Sequence, residues 1–332
     1  MFDFSRNAAR YFAAAAATLF LISCGGSDDT PAPPPFAQTT LVIGSSVSDT
    51  GNQCTAKPTE CVVTPPAYQG LDSNGPLWVT TVAARYGASA NPSLKGGTNF
   101  AYADARTGVV PSDGTNAPPA PIAPNMVQQT ESLLARNGYT INPQNLVIVE
   151  AVGFGNNVKD AIGLVLKNPA NASVIATATV TAAVTDVANI LLRLYAAGAR
   201  NILLLNSTDI GKTPYALASG SPLLIGLATQ MSAGFNSALA TQVNNLKAVS
   251  PGLNIYQVNV FALVNQVAAN PSAYGFANVT QPCFVEPTAT TPQILCSTDA
   301  AVQNTFFYWD PFHPTYAAGQ VLAQTAVAAI GR

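Results

Sequence analysis

Thr39-Thr40-Leu41-Val42-Ile43-Gly44-Ser45-Ser46-Val47-Ser48-Asp49-Thr50-Gly51-Asn52 is the stretch at which order is expected to begin. Its first part is a short apolar, β-branched run, and its second part, from Gly44 on, is small and polar. A short apolar run that ends at glycine fits a strand buried on both faces of a parallel sheet. Three later runs share that character: 145–152 (NLVIVEAV), 201–206 (NILLLN) and 254–260 (NIYQVNV). Between them, 77–86, 126–137, 174–197, 223–246 and 316–330 carry apolar residues at three- and four-residue spacing, which predicts helices. Gly198 is placed to stop the third of these. Strands alternating with helices predict βαβ units and an α/β layered fold. Nothing in 39–332 divides it, so a single domain is expected there. The Pro-, Gly-, Asn- and Ser-rich segments 53–75 and 107–124 read as loops, where binding residues often collect.

Upstream, Arg6 and Arg10 precede an apolar stretch from Tyr11 to Ile22, too short to span a bilayer. That is the layout of a secretory signal over 1–23. Leu21-Ile22-Ser23-Cys24-Gly25 resembles a bacterial lipobox, and the resemblance implies cleavage before Cys24 and lipidation of its thiol and new amino group. Residues 25–38 (GGSDDTPAPPPFAQ) read as a flexible tether. The expected address is outside the cytoplasm: a periplasmic or outer-membrane lipoprotein held to the membrane by its N-terminal lipid, with surface exposure or secretion as the alternatives.

Composition agrees. Charged residues are only 9% of the 332, against roughly 25% in ordinary soluble domains, while 48% are hydrophobic. Without the first 23 residues there remain 12 basic and 15 acidic side chains, a net charge of −3. This leaves no basic footprint for nucleic acid. With Cys24 lipidated, Cys54, Cys61, Cys283 and Cys296 remain, an even number that reads as two disulfides in an exported chain. Three connectivities are open, and local pairing (Cys54–Cys61, Cys283–Cys296) has the lowest loop-closure cost. Each bridge would add roughly 2–3 kcal/mol. A zinc site is disfavoured, because the spacings are not CxxC and there is one histidine.

In open α/β sheets ligands bind beyond the carboxyl ends of the strands, which directs attention to 44–52, 153–157 and 207–213. A serine hydroxyl needs a neighbouring base to become a nucleophile. His313 is the only imidazole, and an ordinary histidine pKa of about 6.5 suits proton shuttling. Asp310, three residues earlier, is placed to orient the ring and stabilise the imidazolium.

Gly44 to Asn52 resembles the GDSLSDTGN block of the GDSL, or SGNH, esterases and lipases, and Phe307-Tyr308-Trp309-Asp310-Pro311-Phe312-His313-Pro314-Thr315 resembles their FWDxxHPT block. Gly96-Gly97-Thr98-Asn99-Phe100-Ala101 is similar to GGTNxA, Gly153-Phe154-Gly155-Asn156-Asn157 falls where that family has GGxND, and Thr208 to Pro214 falls where it has PDLGxTP. The resemblance implies a three-layer α/β/α sandwich with a central, mostly parallel sheet in flavodoxin-like order. It implies ester hydrolysis through an acyl-enzyme on Ser46, without cofactor or metal. It places the oxyanion donors at the Ser46 N–H, the Asn156 amide and the backbone N–H of residue 104. Asp49 and Asn52 are expected to order the turn.

Three positions depart from the pattern. Ser45 replaces an aspartate, Asn157 replaces the aspartate after the catalytic asparagine, and Asp104 stands where the family has an oxyanion glycine. A non-glycine residue resists positive φ, and a carboxylate beside a developing oxyanion repels it; Arg106 is at hand to neutralise it. The expected substrates are short- to medium-chain acyl or lipid esters. Carbohydrate O-deacetylation, acyl transfer, and a surface-binding lipoprotein of weakened activity are the alternatives. Trp78, Phe154, Phe306, Phe307, Tyr308, Trp309 and Phe312 are candidates for a pocket wall or for core.

Overall fold

The computed structural model describes residues 36, 39–61, 68–108, 123–287 and 292–331. The proposed signal segment, Cys24 and all of the proposed tether but Phe36 lie outside them, as do 62–67 and 109–122 within the predicted loops.

Four of the apolar runs form one parallel sheet: β1 (Thr40–Ile43), β2 (Leu146–Glu150), β3 (Asn201–Leu205) and β4 (Asn254–Val258), in spatial order β1-β2-β3-β4. Val42 registers with Ile148, Ile148 with Leu203, and Leu203 with Tyr256. The other side of β1 is taken by the GGTNFA segment. The Val42 N–H donates to the Thr98 carbonyl (3.1 Å), and the Phe100 and Tyr102 N–H groups donate to the Val42 and Gly44 carbonyls (2.7 and 3.2 Å). Counting this single-bridge strand, the order is the flavodoxin-like 2-1-3-4-5.

Ten helices are described: α1 (Asn52–Ala56), α2 (Trp78–Arg85), α3 (Met126–Arg136), α4 (Phe154–Lys167), α5 (Ala172–Ala196), α6 (Pro214–Ala218), α7 (Pro222–Val249), α8 (Val260–Ala269), α9 (Ala300–Gln303) and α10 (Tyr316–Ile330). Because successive strand residues point to opposite faces, the sheet has two apolar sides. Leu41, Ile43, Val147, Val149, Ile202 and Leu204 pack against α3, α4, α5 and α7. Val42, Leu146, Ile148, Leu203 and Leu205 pack against α2, α8 and α10. Three α/β/α layers result. Gly198 ends the α5 region as expected, at φ 109°, with the Ile141 carbonyl 2.6 Å from where a Cβ would stand.

Five of the ten were not predicted: the short α1, α6 and α9, and the longer α4 and α8. α4 begins inside the Gly- and Asn-rich segment 153–157, and it is held by Phe154, Val158, Ala161, Ile162 and Val165, which are buried at helical spacing. Phe154 stacks on Phe235 at 4.2 Å. α8 follows β4 after a side-chain cap from Asn259.

Near the C-terminus are two small pairs: β5 (Asn278–Pro282) beside β8 (Phe306–Tyr308), and the antiparallel β6 (Phe284–Val285) and β7 (Ile294–Leu295). The bridge Cys283–Cys296 closes the second pair, and Cys54–Cys61 closes the loop after α1, so local pairing is the one adopted.

Candidate active site

Gly44 leaves β1 against Glu150, the last residue of β2. A Cβ at Gly44 would lie 2.8 Å from the Glu150 carboxylate, so only glycine fits. Glu150 accepts from the Ser45 N–H (2.8 Å), the Ser45 hydroxyl (2.9 Å) and the Gly153 N–H (3.0 Å). Burial pushes its pKa up to about 7, against the lowering effect of those donors. Ser45, where the family has a carboxylate, thus meets one supplied from the neighbouring strand.

The turn beyond it is ordered by Asp49, which accepts from the N–H groups of Gly51 (2.8 Å), Asn52 (2.6 Å), Gln53 (3.0 Å) and, from the segment after GGTNFA, Ala103 (2.9 Å). Asn52 donates to the Asn99 and Ala101 carbonyls, both at 2.8 Å. These are the supporting roles expected of the two residues.

The Ser46 hydroxyl is 2.7 Å from Nε2 of His313, 267 residues later in sequence. On the ring's other side, Nδ1 is 2.6 Å from Asp310 Oδ2. Asp310 Oδ1 accepts from the N–H groups of Phe312 and His313, both at 2.8 Å, which closes the turn on itself. The turn is anchored by the small C-terminal pairs: the Trp309 N–H donates to the His313 carbonyl, the Phe284 N–H donates to the Trp309 carbonyl, and Trp309 stacks on Phe284. The disulfide-closed hairpin therefore positions the imidazole.

Burial opposes charge on His313, but Asp310, Asp72 and Asp104 more than offset it, and its pKa is raised to about 9. Burial likewise works against the Asp310 carboxylate; His313 and the two N–H donors outweigh it and hold its pKa below the usual carboxylate value.

Asp104 has φ 60°, the left-handed conformation a glycine would take without strain. Aspartate is among the residues that tolerate it. Its side chain is exposed, while the Ala103 and Ala105 backbone on either side is buried. Arg106 does not pair with that carboxylate: its guanidinium grips Asp160 (2.7 and 2.9 Å) and donates to the Asp104 carbonyl (2.8 Å). The Asn156 amide, in the first turn of α4, donates to the Ala105 carbonyl at 3.0 Å. Asn157 is buried; its oxygen accepts from the Thr107 N–H and its nitrogen donates to the Thr107 hydroxyl. Both asparagines fasten α4 to 105–107, so Asn157 supports the region although it lacks the family's carboxylate.

Sequence reasoning missed two residues. Glu150 was signalled by a charge inside an otherwise apolar strand, which must find partners when buried. Asp72, in a predicted loop without a motif, places Oδ2 3.8 Å from His313 Nε2. Its pKa is raised to about 6, by desolvation first and then by the neighbouring Asp310, Asp49 and Asp104, against the lowering pull of His313. Asp72, Asp310 and His313 bring three ligand atoms within 4.8 Å. Asp310, however, already spends both oxygens on N–H donors, which leaves fewer protein ligands than zinc takes.

Most of the candidate pocket aromatics are core. Trp78, Phe154, Phe307, Tyr308 and Trp309 are buried; Phe306 and Phe312 are half-buried. Trp78 donates to the Ser48 hydroxyl at 3.2 Å and so braces the Ser46 turn. Phe312 packs on Tyr215 at 4.3 Å, with Lys159 over its ring. A cavity of about 460 Å³ opens elsewhere, between α7 and β4, lined by Asn206, Asn236, Gln257 and Phe261 among others.

A serine, an imidazole and a carboxylate in series form an arrangement able to attack a carbonyl. Residues 41–325 match the model of the GDSL-like lipase/acylhydrolase family. The chain belongs to that family. Among curated proteins it is similar to three GDSL esterase/lipases of Arabidopsis thaliana. With At1g71250 it is 32% identical over 142 residues, 41% of this chain and 38% of that protein. With At5g63170 it is 30% identical over 129 residues (39% and 36%), and with At1g23500 30% over 145 (43% and 40%). The matched stretch spans about two fifths of the length of these relatives.

Proposed function

We propose that this GDSL-family chain hydrolyses carboxylic esters, with Ser46 as nucleophile, His313 as general base and acid, and Asp310 as the group that orients and charges the imidazole. The observation that carries this reading is the series of 2.7 and 2.6 Å contacts linking Ser46, His313 and Asp310. Ser46 Oγ attacks the ester carbonyl as Nε2 takes its proton. The imidazolium then gives that proton to the departing alcohol, and water releases the acid in a second round. The N–H groups of Ser46 and Asp104 and the Asn156 amide are the oxyanion donors in this account, each worth about 10²–10³ in rate.

The substrates proposed are short- to medium-chain acyl or lipid esters. Two disulfides fit an oxidising compartment, and the finer proposal is an exported lipoprotein anchored through Cys24. Hydrolysis of a p-nitrophenyl ester series from acetate to palmitate tests the enzymatic reading. Wild type should turn over the shorter members, and Ser46→Ala should lose about 10³-fold or more in kcat. Equal rates for wild type and Ser46→Ala would refute it.

A further inference from the structure

Asp72 has no place in the triad, yet the fold delivers it there. The segment that carries it bends back through Gln69 and Gly70, at φ 53° and 75°. Its next two residues are tied to the segment that follows His313: the Ser73 hydroxyl donates to the Pro314 carbonyl at 3.2 Å, and Asn74 Oδ1 accepts from the Tyr316 N–H at 2.7 Å. The Asp72 carboxylate and the imidazole therefore share one support.

The 3.8 Å between Oδ2 and Nε2 is too long for a hydrogen bond and suits a shared water. Orienting the ring does not require Asp72, because Asp310 already holds Nδ1. The Asp72 side chain is 43% exposed against 18% for that of His313, so it stands on the solvent side of the ring.

We propose that Asp72 is a further catalytic residue, one that holds the hydrolytic water for deacylation. The inference rests on the acyl-enzyme reading above. Once Ser46 Oγ is esterified it has no proton to give Nε2, and that nitrogen turns to water. A water molecule donating one hydrogen to Nε2 and the other to Asp72 has its lone pairs directed away from both, toward the acyl carbon on Ser46. Its oxygen bonds to that carbon as Nε2 takes one proton. The intermediate collapses, the bond from the acyl carbon to Ser46 Oγ breaks, and Nε2 returns the proton to Oγ. The acid leaves with the water oxygen, and Asp72 ends as it began. In acylation the substrate alcohol occupies that place, so Asp72 is not needed there.

The test follows the acyl adduct on the full chain by intact mass, with p-nitrophenyl acetate as the probe. The pH is set about one unit above the His313 pKa of about 9, so that the imidazole is neutral in every variant. Asp72→Ala should acylate within about threefold of wild type and deacylate about 10- to 100-fold more slowly, accumulating a Ser46 adduct. Asp72→Asn, which keeps an acceptor oxygen, should recover part of the loss. Added methanol should claim a larger share of the acyl group in Asp72→Ala than in wild type. The proposal is overturned if acylation and deacylation fall together, as a structural role or a change in His313 basicity would produce, or if neither changes. If Ser46→Ala hydrolyses the ester as fast as wild type, the acyl-enzyme reading itself fails, and the inference with it.

Discussion

At the scale of single residues the site is governed by an excess of carboxylates. Asp310, Asp72 and Asp104 surround one imidazole and raise its pKa to about 9. As the proposed general base His313 must be neutral, so kcat/KM should climb with pH and level off only near 9, losing about tenfold per unit below it. Asp310→Asn should move that limb to lower pH and cut kcat by about 10³–10⁴, since the ring loses its orienting partner; a pH–rate profile of each variant checks both effects. Asp104→Gly should raise kcat/KM a few-fold, because the left-handed turn stays available while a charge near the oxyanion is removed. Steady-state kinetics against wild type decide it. Ser46, His313 and Asp310 were legible because each has a motif and a chemistry. Asp72 was not, because its contact with His313 joins positions 241 residues apart and no local pattern encodes it.

Among the elements, β2 carries a cost. Glu150 is buried at its end with a pKa raised to about 7. A raised folded-state pKa gives stability that is present below the unfolded value of about 4.5 and is lost as pH rises through about 7, roughly 3 kcal/mol in all. Glu150→Gln should flatten that part of the profile, seen as a smaller fall in melting temperature between pH about 4.5 and 7. A variant as steep as wild type would remove Glu150 as the cause. The four strands were readable from composition because burial on both faces leaves unbroken apolar runs. α4 was not, because Gly153, Gly155, Asn156 and Asn157 have turn propensity, and packing of Phe154 and Val158 overrides it. The same packing puts Asn156 in a helical first turn, where its amide is held against 105–107.

Across the whole molecule, the proposed chemistry is assembled from far-apart segments by a conventional layered fold and one disulfide-closed appendage. Ser46 comes from the end of β1, Asn156 from the start of α4, and His313 from the turn beyond β8. The layered α/β class could be argued from alternating runs and helical spacing. The order of the sheet came from the family resemblance alone, since the outermost strand beside β1 is a single bridge at Asn99. Reduction of Cys283–Cys296 should therefore lower activity before it unfolds the sheet, because that hairpin supports Trp309 and the His313 turn; activity and far-ultraviolet circular dichroism followed together during reduction would show it. Most direct for the central claim is the site of covalent capture by a fluorophosphonate, read by peptide mass spectrometry on wild type and on Ser46→Ala. One adduct per chain is expected on Ser46 and none on the variant. No adduct on wild type, or an adduct on another residue that persists in Ser46→Ala, would contradict it.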